Sequence, residues 1–226
     1  MSYLWRNPDV VLRLLGEHLY MTGVSLIVSI AIALPLSLLL YRRQRLSTLV
    51  MGILGIFYTI PSIALIILLI PVFGMNATSV IVALIIYTQV MLVRNFTAGL
   101  QAVDAVVLEA ARGMGMNPAQ IWWRVQLPLA LPVMLAGVRI AAVVAVAVTA
   151  VGAKFGAGGL GTILFEGVTH SGRYDKIWAG AILVSMLALV INWGLARLEE
   201  RFDKVHGVAA ADQKQSPCGD GVSLSR

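Results

Sequence analysis

From Leu46 to Val93 the chain carries no charged residue, and that stretch constrains the fold more than any motif in it. A hydrocarbon core about 30 Å thick is crossed by about 20 apolar helical residues. The run is too long for one crossing, and it is interrupted at Phe73-Gly74-Met75-Asn76, a turn-prone sequence. It reads as two membrane helices, over 49–73 and 77–95.

Three further runs repeat the pattern. The segment 19–41 is uncharged and stops at Arg42, Arg43 and Arg45, while 132–151 holds a single charge, Arg139. The segment 177–196 is uncharged and is followed by Arg197, Arg201 and Lys204. The expected fold class is an all-α membrane protein with five transmembrane helices, its permease domain spanning 19–204. Composition agrees, with 12% of residues charged against roughly 25% in soluble domains. Beside five spans, 226 residues leave no room for a separate soluble catalytic domain.

An odd number of spans puts the termini on opposite sides of the membrane. Lys and Arg at 42, 43, 45, 94, 112, 124, 197, 201, 204, 214 and 226 fall on one side, against 6, 13, 154, 173 and 176 on the other. Positive charge accumulates on cytoplasmic segments, so the N-terminus is expected outside and the C-terminus in the cytoplasm. Residues 1–18 read as an extracytoplasmic segment in which Asn7-Pro8 starts a short helix lying along the membrane surface. Asp9 and Glu17 argue against a cleavable signal. Residues 205–226 turn to Gly, Ala, Ser, Asp and Gln and are expected to form a disordered tail. The single cysteine, Cys218, lies there without an intrachain partner. The net charge of +6 is dispersed around apolar runs with no basic face, so nucleic acid is not an expected partner.

The loop 100–130, between spans three and four, has internal architecture. Val103 to Arg112 suits a helix, Gly113 and Gly115 end it, and Asn117-Pro118 supplies the N-cap and first-turn proline of a second. Pro128 is expected to force another break. The result is a helix-turn-helix presenting Ile121, Trp122, Trp123 and Val125, an apolar surface suited to a docking protein.

The spacing within this loop is specific. Glu109, Ala110 and Ala111 are followed after three residues by Gly115, after nine more by Val125, and then by Leu127-Pro128. This pattern resembles the coupling loop of type I ABC importer permeases, whose short cytosolic helix sits in a groove of the ATPase. The resemblance implies that Glu109, Ala110, Ala111, Gly115, Asn117, Pro118, Ala119, Gln120, Ile121, Val125, Leu127 and Pro128 form the ATPase-coupling site. It also implies an ABC ATPase dimer that binds ATP and Mg, no cofactor in this chain, a second permease copy or homologous permease, and an extracytoplasmic substrate-binding protein. Within the loop, Ala110 and Ala111 allow close helix approach, Gly115 permits a turn, and Glu109 bonds a backbone amide or pairs with Arg112.

Ala111-Arg-Gly-Met-Gly-Met116, Leu127-Pro-Leu-Ala-Leu-Pro132, Ala136-Gly-Val-Arg139 and Tyr58-Thr-Ile-Pro-Ser62 look like the osmoprotectant branch, permeases for glycine betaine, carnitine and choline. The resemblance covers 19–200. Tyr58, Pro61, Tyr87 and Arg139 are the candidates for the translocation path. Pro61 reads as a gating kink or a packing kink, and the sequence alone favours neither. Tyr58, Tyr87 and Trp178 read as cation-binding faces or as interfacial belt residues. Arg139 reads as a functional charge or as one that snorkels to the cytosol.

Gly156-Ala-Gly158-Gly-Leu-Gly161 satisfies G-x-G-x-x-G, but it follows a membrane helix rather than a strand and is refused as a nucleotide motif. No Gly-Lys-Ser/Thr occurs, so no Walker loop is present. His18, His170 and His206 are scattered, so neither a metal site nor enzyme activity is expected. The alternative substrates are methionine or another amino acid. A secondary transporter or channel is the alternative class, but it predicts charge pairs within the spans or internal repeats, and the sequence displays neither.

Overall fold

A computed structural model of the protein describes residues 7–169 and 174–213. Every regular element among them is helical. α1 is Pro8–Leu40, α2 Gln44–Thr59, α3 Ser62–Phe73 and α4 Ala77–Gln101. The loop holds α5, Ala105–Gly113, and α6, Pro118–Ile121; a π-helical turn at Trp122–Gln126 leads directly into α7, Leu127–Gly152. After a 3-10 turn at Ala153–Phe155 come α8, Gly161–Thr169, and α9, Tyr174–Gln213.

Four helical segments are long and apolar enough to cross a membrane: Pro8–Leu40, Ala77–Gln101, Pro118–Phe155 and Tyr174–Phe202. α2 and α3 pass that test only as a pair, bent by 91° at the break. With the bent pair as one broken span, the all-α, five-span architecture agrees with the expectation.

α4 lies at the centre, packed along α1 and α7. Glycines set how closely α4 and α7 approach: a Cβ at Gly137 would lie 2.4 Å from Asn95 Cβ, and one at Gly152 2.7 Å from the Val80 methyls. Small residues at a helix crossing replace, in lipid, the hydrophobic drive that water would supply. The contacts of α1 with α4 and α7 hold buried hydroxyls. Thr88 donates to Ser29 Oγ at 2.9 Å, the Gln89 amide donates to the Ser29 carbonyl at 3.2 Å, and the Thr22 and Thr149 hydroxyls are 3.3 Å apart. Such interhelical bonds contribute about 0.6 kcal/mol each. The outward Ile182, Met186, Leu189 and Trp193 of α9 are exposed, as lipid-facing side chains are.

The short N-terminal surface helix expected within 1–18 is not separate. α1 runs unbroken from Pro8, and Leu14 is buried against Leu160, Ile163 and Ala179. Gly16 alone does not stop a helix whose neighbours are held: the Glu17 carboxylate accepts the Gly159 N–H at 3.0 Å. The Gly-rich segment therefore folds over α1. A Cβ at Gly158 would fall 2.4 Å from Glu17 Oε2, and Gly156, Gly158 and Gly159 all have positive φ. At the other terminus α9 stays helical to Gln213, so its backbone enters the tail expected to be disordered from 205. Residues 214–226 lie outside the described residues, as do 170–173 with His170.

Pro128 does not break the chain. Its ring excludes the ordinary helical bond to residue 124 and would crowd that carbonyl. The wider π turn immediately before it absorbs the conflict, with the Leu127 N–H donating back to the Trp122 carbonyl. Helix continues without interruption from Pro118 to Phe155.

Candidate functional site

The loop between α4 and α7 is closed by its own backbone chemistry. Asp104 starts α5, its carboxylate accepting the Val106 N–H at 2.9 Å. At the other end the Gly115 N–H reaches the Arg112 carbonyl at 2.9 Å and the Met116 N–H reaches that of Ala111 at 3.2 Å. These two bonds form a Schellman motif with Gly115 at its left-handed position, φ 78°. A Cβ on Gly115 would meet nothing within 4 Å, so the requirement for glycine there is conformational, not steric.

α6 begins two residues later with a reciprocal capping box. The Asn117 side chain accepts the Gln120 N–H at 2.8 Å, and the Asn117 N–H donates to Gln120 Oε1 at 2.9 Å. Asn117-Pro118 was legible as a helix start. The role of Gln120 was not drawn, although an Asn followed at the third position by Gln is its signature.

Ala111 is 1% exposed and Ile121 8%, while Glu109, Ala110, Asn117, Pro118, Ala119 and Gln120 are exposed. Val125, Leu127 and Pro128 are half-buried. The expected apolar surface is thus smaller than predicted: Ile121 is turned inward, and Trp123, 66% exposed, carries most of it. Met114, 75% exposed, and Val106 add apolar surface on the α5 side. Only Ala111 of the alanine pair serves close packing. Among the described residues Glu109 makes no ion pair with Arg112, which removes one of its two expected roles. A cleft of about 470 Å³ separates the end of α1 from the loop, between Tyr41 and Arg42 on one wall and Arg112, Pro118 and Trp122 on the other.

The path candidates divide. Tyr58, Pro61 and Tyr87 come together: Pro61 stands at the α2–α3 break, and the two tyrosine rings lie 4.9 Å apart, tilted by 41°. Arg139 is engaged elsewhere, its Nε 3.1 Å from the Glu199 carboxylate of α9, an ion pair too bent for a hydrogen bond. Both side chains are more than half-buried. Glu199 is the residue that sequence reading missed, because nothing local links it to a partner on α7. Trp178 sits on the exposed face of α9.

Five apolar spans, a glycine-tightened core and a capped loop outside them that bears an exposed tryptophan define a multi-pass helical membrane protein. The profile of the family described as "Binding-protein-dependent transport system inner membrane component" matches residues 25–204, and the chain belongs to that family. It is 37% identical over 89% of its length to a carnitine transport permease protein of Listeria monocytogenes, covering 92% of that protein. It is 33% identical over 90% of its length to a glycine betaine/carnitine/choline transport system permease protein of Bacillus subtilis, covering 89% of it. It is 36% identical to an osmoprotectant import permease protein of Salmonella typhimurium, over 88% of this chain and 94% of that one. Among solved structures it resembles a chain of the MetNI methionine ABC transporter in an inward-facing conformation, with a TM-score of 0.77 and 28% identity over 89% of this chain and 98% of that one.

Proposed function

We propose that this chain is the permease subunit of an ATP-driven importer and forms the translocation path for a small osmoprotectant such as glycine betaine or another quaternary amine. The observation that carries the reading is the loop: closed at both ends by backbone caps, it leaves Ala119, Gln120 and Trp123 open to a partner. An exposed tryptophan on a rigid loop gains nothing for the isolated chain and suits a docking surface. The twelve loop residues named from the sequence act together in this reading. Ala111, Gly115, Asn117, Pro118, Ile121, Val125, Leu127 and Pro128 set the shape, while Glu109, Ala110, Ala119 and Gln120 face the partner.

That partner is an ABC ATPase dimer, which supplies ATP and Mg; this chain holds no cofactor and catalyses no reaction. A second permease copy or a homologous permease provides the second docking site, and an extracytoplasmic binding protein delivers solute. The distribution of Lys and Arg supports a cytoplasmic loop, an outside N-terminus and a cytoplasmic C-terminus in the bacterial inner membrane. Force applied at α6 enters a helix continuous over 38 residues, about 57 Å long, so it travels to the Gly-rich end without a hinge. The Arg139–Glu199 pair draws α9 along with α7.

The relatives at 33–37% identity support a quaternary-amine solute. The methionine transporter likeness favours the second reading, an amino-acid permease. ATP-dependent uptake into proteoliposomes holding the chain with its ATPase and binding protein separates them. We expect labelled glycine betaine, carnitine or choline to accumulate and methionine not to. In the same complex, Cys218→Ser with Ala119→Cys gives an ATP-sensitive crosslink to the ATPase. Methionine uptake alone moves the chain to the amino-acid branch. An assembled complex without any ATPase crosslink reopens the channel and secondary-carrier readings.

A further inference from the structure

The break between α2 and α3 lies at an unusual depth. Tyr87, whose ring contacts Tyr58, stands ten residues into α4, about 15 Å along it from Ala77. In a core about 30 Å thick that is near the midplane. At this level Pro61 has no N–H and the Ile60 N–H turns back to the Phe57 carbonyl, so the helical ladder stops. The last carbonyls of α2 lose their usual donors. Irregular backbone at membrane depth is stable only when buried in protein or lining a water-filled cavity, never against lipid. Ile60 and, past the break, Leu65 and Ile66 pack on the core, while α2 itself buries none of its residues within the chain, so one side of the break is held by protein and the side that carries Tyr58 is open.

The surroundings of the break have a definite electrostatic character. Tyr58 sits in the last turn of α2, where the helix dipole places partial negative charge. Tyr87 packs against its ring, and Tyr58 still keeps 40% of its surface open. No acidic or basic residue occurs between Leu46 and Val93, so the segments that form the break, α2, α3 and the first two-thirds of α4, bring no carboxylate to hold a proton or an alkali ion and no cation to repel one. A strongly hydrated ion gains little at such a place. A poorly hydrated, diffuse cation gains ring-face attraction and the partial negative charge at the end of α2.

We propose that Tyr58, positioned by Tyr87 at the α2–α3 break, is a transit site for the quaternary ammonium group of the solute. The proposal rests on the importer reading above and names the residue that meets its cargo. Tyr58 touches the cation; Tyr87 is a positioning residue that limits rotation of the Tyr58 ring. The absence of a formal counter-charge makes the site weak, as a site that must release its cargo requires.

The test uses the purified permease–ATPase complex without binding protein, titrated with tetramethylammonium and read by saturation-transfer NMR. Position 58 carries Tyr, then Phe, then mono-, di- and trifluorophenylalanine, which keep ring size while draining the negative face. We expect the half-saturating concentration to rise stepwise, by about 3- to 30-fold across the series. The neutral isostere neopentyl alcohol gives no such slope. Tyr87→Ala should weaken binding with a smaller fluorine slope, because the ring at 58 is then free to turn. A flat series in a complex that imports glycine betaine overturns the transit site and leaves the importer reading standing. A complex that imports no quaternary amine removes the quaternary-amine reading, and the site with it.

Discussion

Substitution of Gly115 separates backbone conformation from packing in the loop. The residue lies at φ 78° and a Cβ there would meet nothing within 4 Å, so Gly115→Ala adds conformational cost and no clash. An L-residue in the left-handed region costs roughly 1 kcal/mol. That cost shifts the equilibrium between closed and open loop about fivefold. The bonds at stake are those of the Gly115 and Met116 N–H groups to Arg112 and Ala111, so their amides report the opening directly. Hydrogen exchange across 112–117 should quicken about fivefold in Gly115→Ala. Gly115→Asn should fall between the two, because asparagine tolerates this conformation, and Gly115→Val should be worse than alanine. The uptake rate should follow the same order. The order Gly, Asn, Ala, Val is the discriminating result. If asparagine exchanges as fast as valine, or alanine matches glycine, the Schellman closure is not what the glycine supplies.

Asn117→Ala removes the cap itself and should lower loop stability by about 1 kcal/mol, and Gln120→Ala by less, both measured by exchange at the amides of α6. Gln120→Cys should therefore give poorer crosslinks to the ATPase than Ala119→Cys, although both positions are exposed. Gly137→Val drives a side chain into Asn95 and should lower the unfolding midpoint in detergent, at a cost of about 1–3 kcal/mol, whereas Gly23→Val, in open space, should not. Arg139→Ala strands Glu199 and should destabilise more than Arg139→Ala combined with Glu199→Ala; with Glu199→Ala measured as well, a thermal double-mutant cycle should give a coupling of about 0.5–3 kcal/mol.

The elements legible in the sequence are those whose causes are local. Each span follows from an apolar run bounded by charge or by a turn-prone sequence, and the end of α5 and the start of α6 follow from Gly115 and Asn117-Pro118, where one or two residues set the backbone. The differences arise where two local signals compete, or where a partner lies far along the chain. Pro128 signals a break, yet the π turn at Trp122–Gln126 lets helix persist through it, and propensity rules do not anticipate that repair. Glu17 and His18 look like the polar margin of a span until the Gly-rich segment, remote in sequence, folds over them. Ile121 belongs to an apolar cluster in the sequence, but only the tertiary turn of the loop decides that it points in while Trp123 points out.

The Arg139–Glu199 pair carries the most consequence of these long-range facts. A charge inside an apolar span ordinarily argues for a carrier whose polar residues line a path. Paired with the end of α9, Arg139 instead joins the helix that begins at the loop to the last helix of the bundle. The partner choice changes what the residue is for. A lone arginine would have to move toward water whenever the bundle moved, whereas a paired one resists separation of α7 from α9. The break beside Pro61 has no such brace: among the described residues no ion pair holds α2 or α3, and α3 is held by Leu65 and Ile66 in the core.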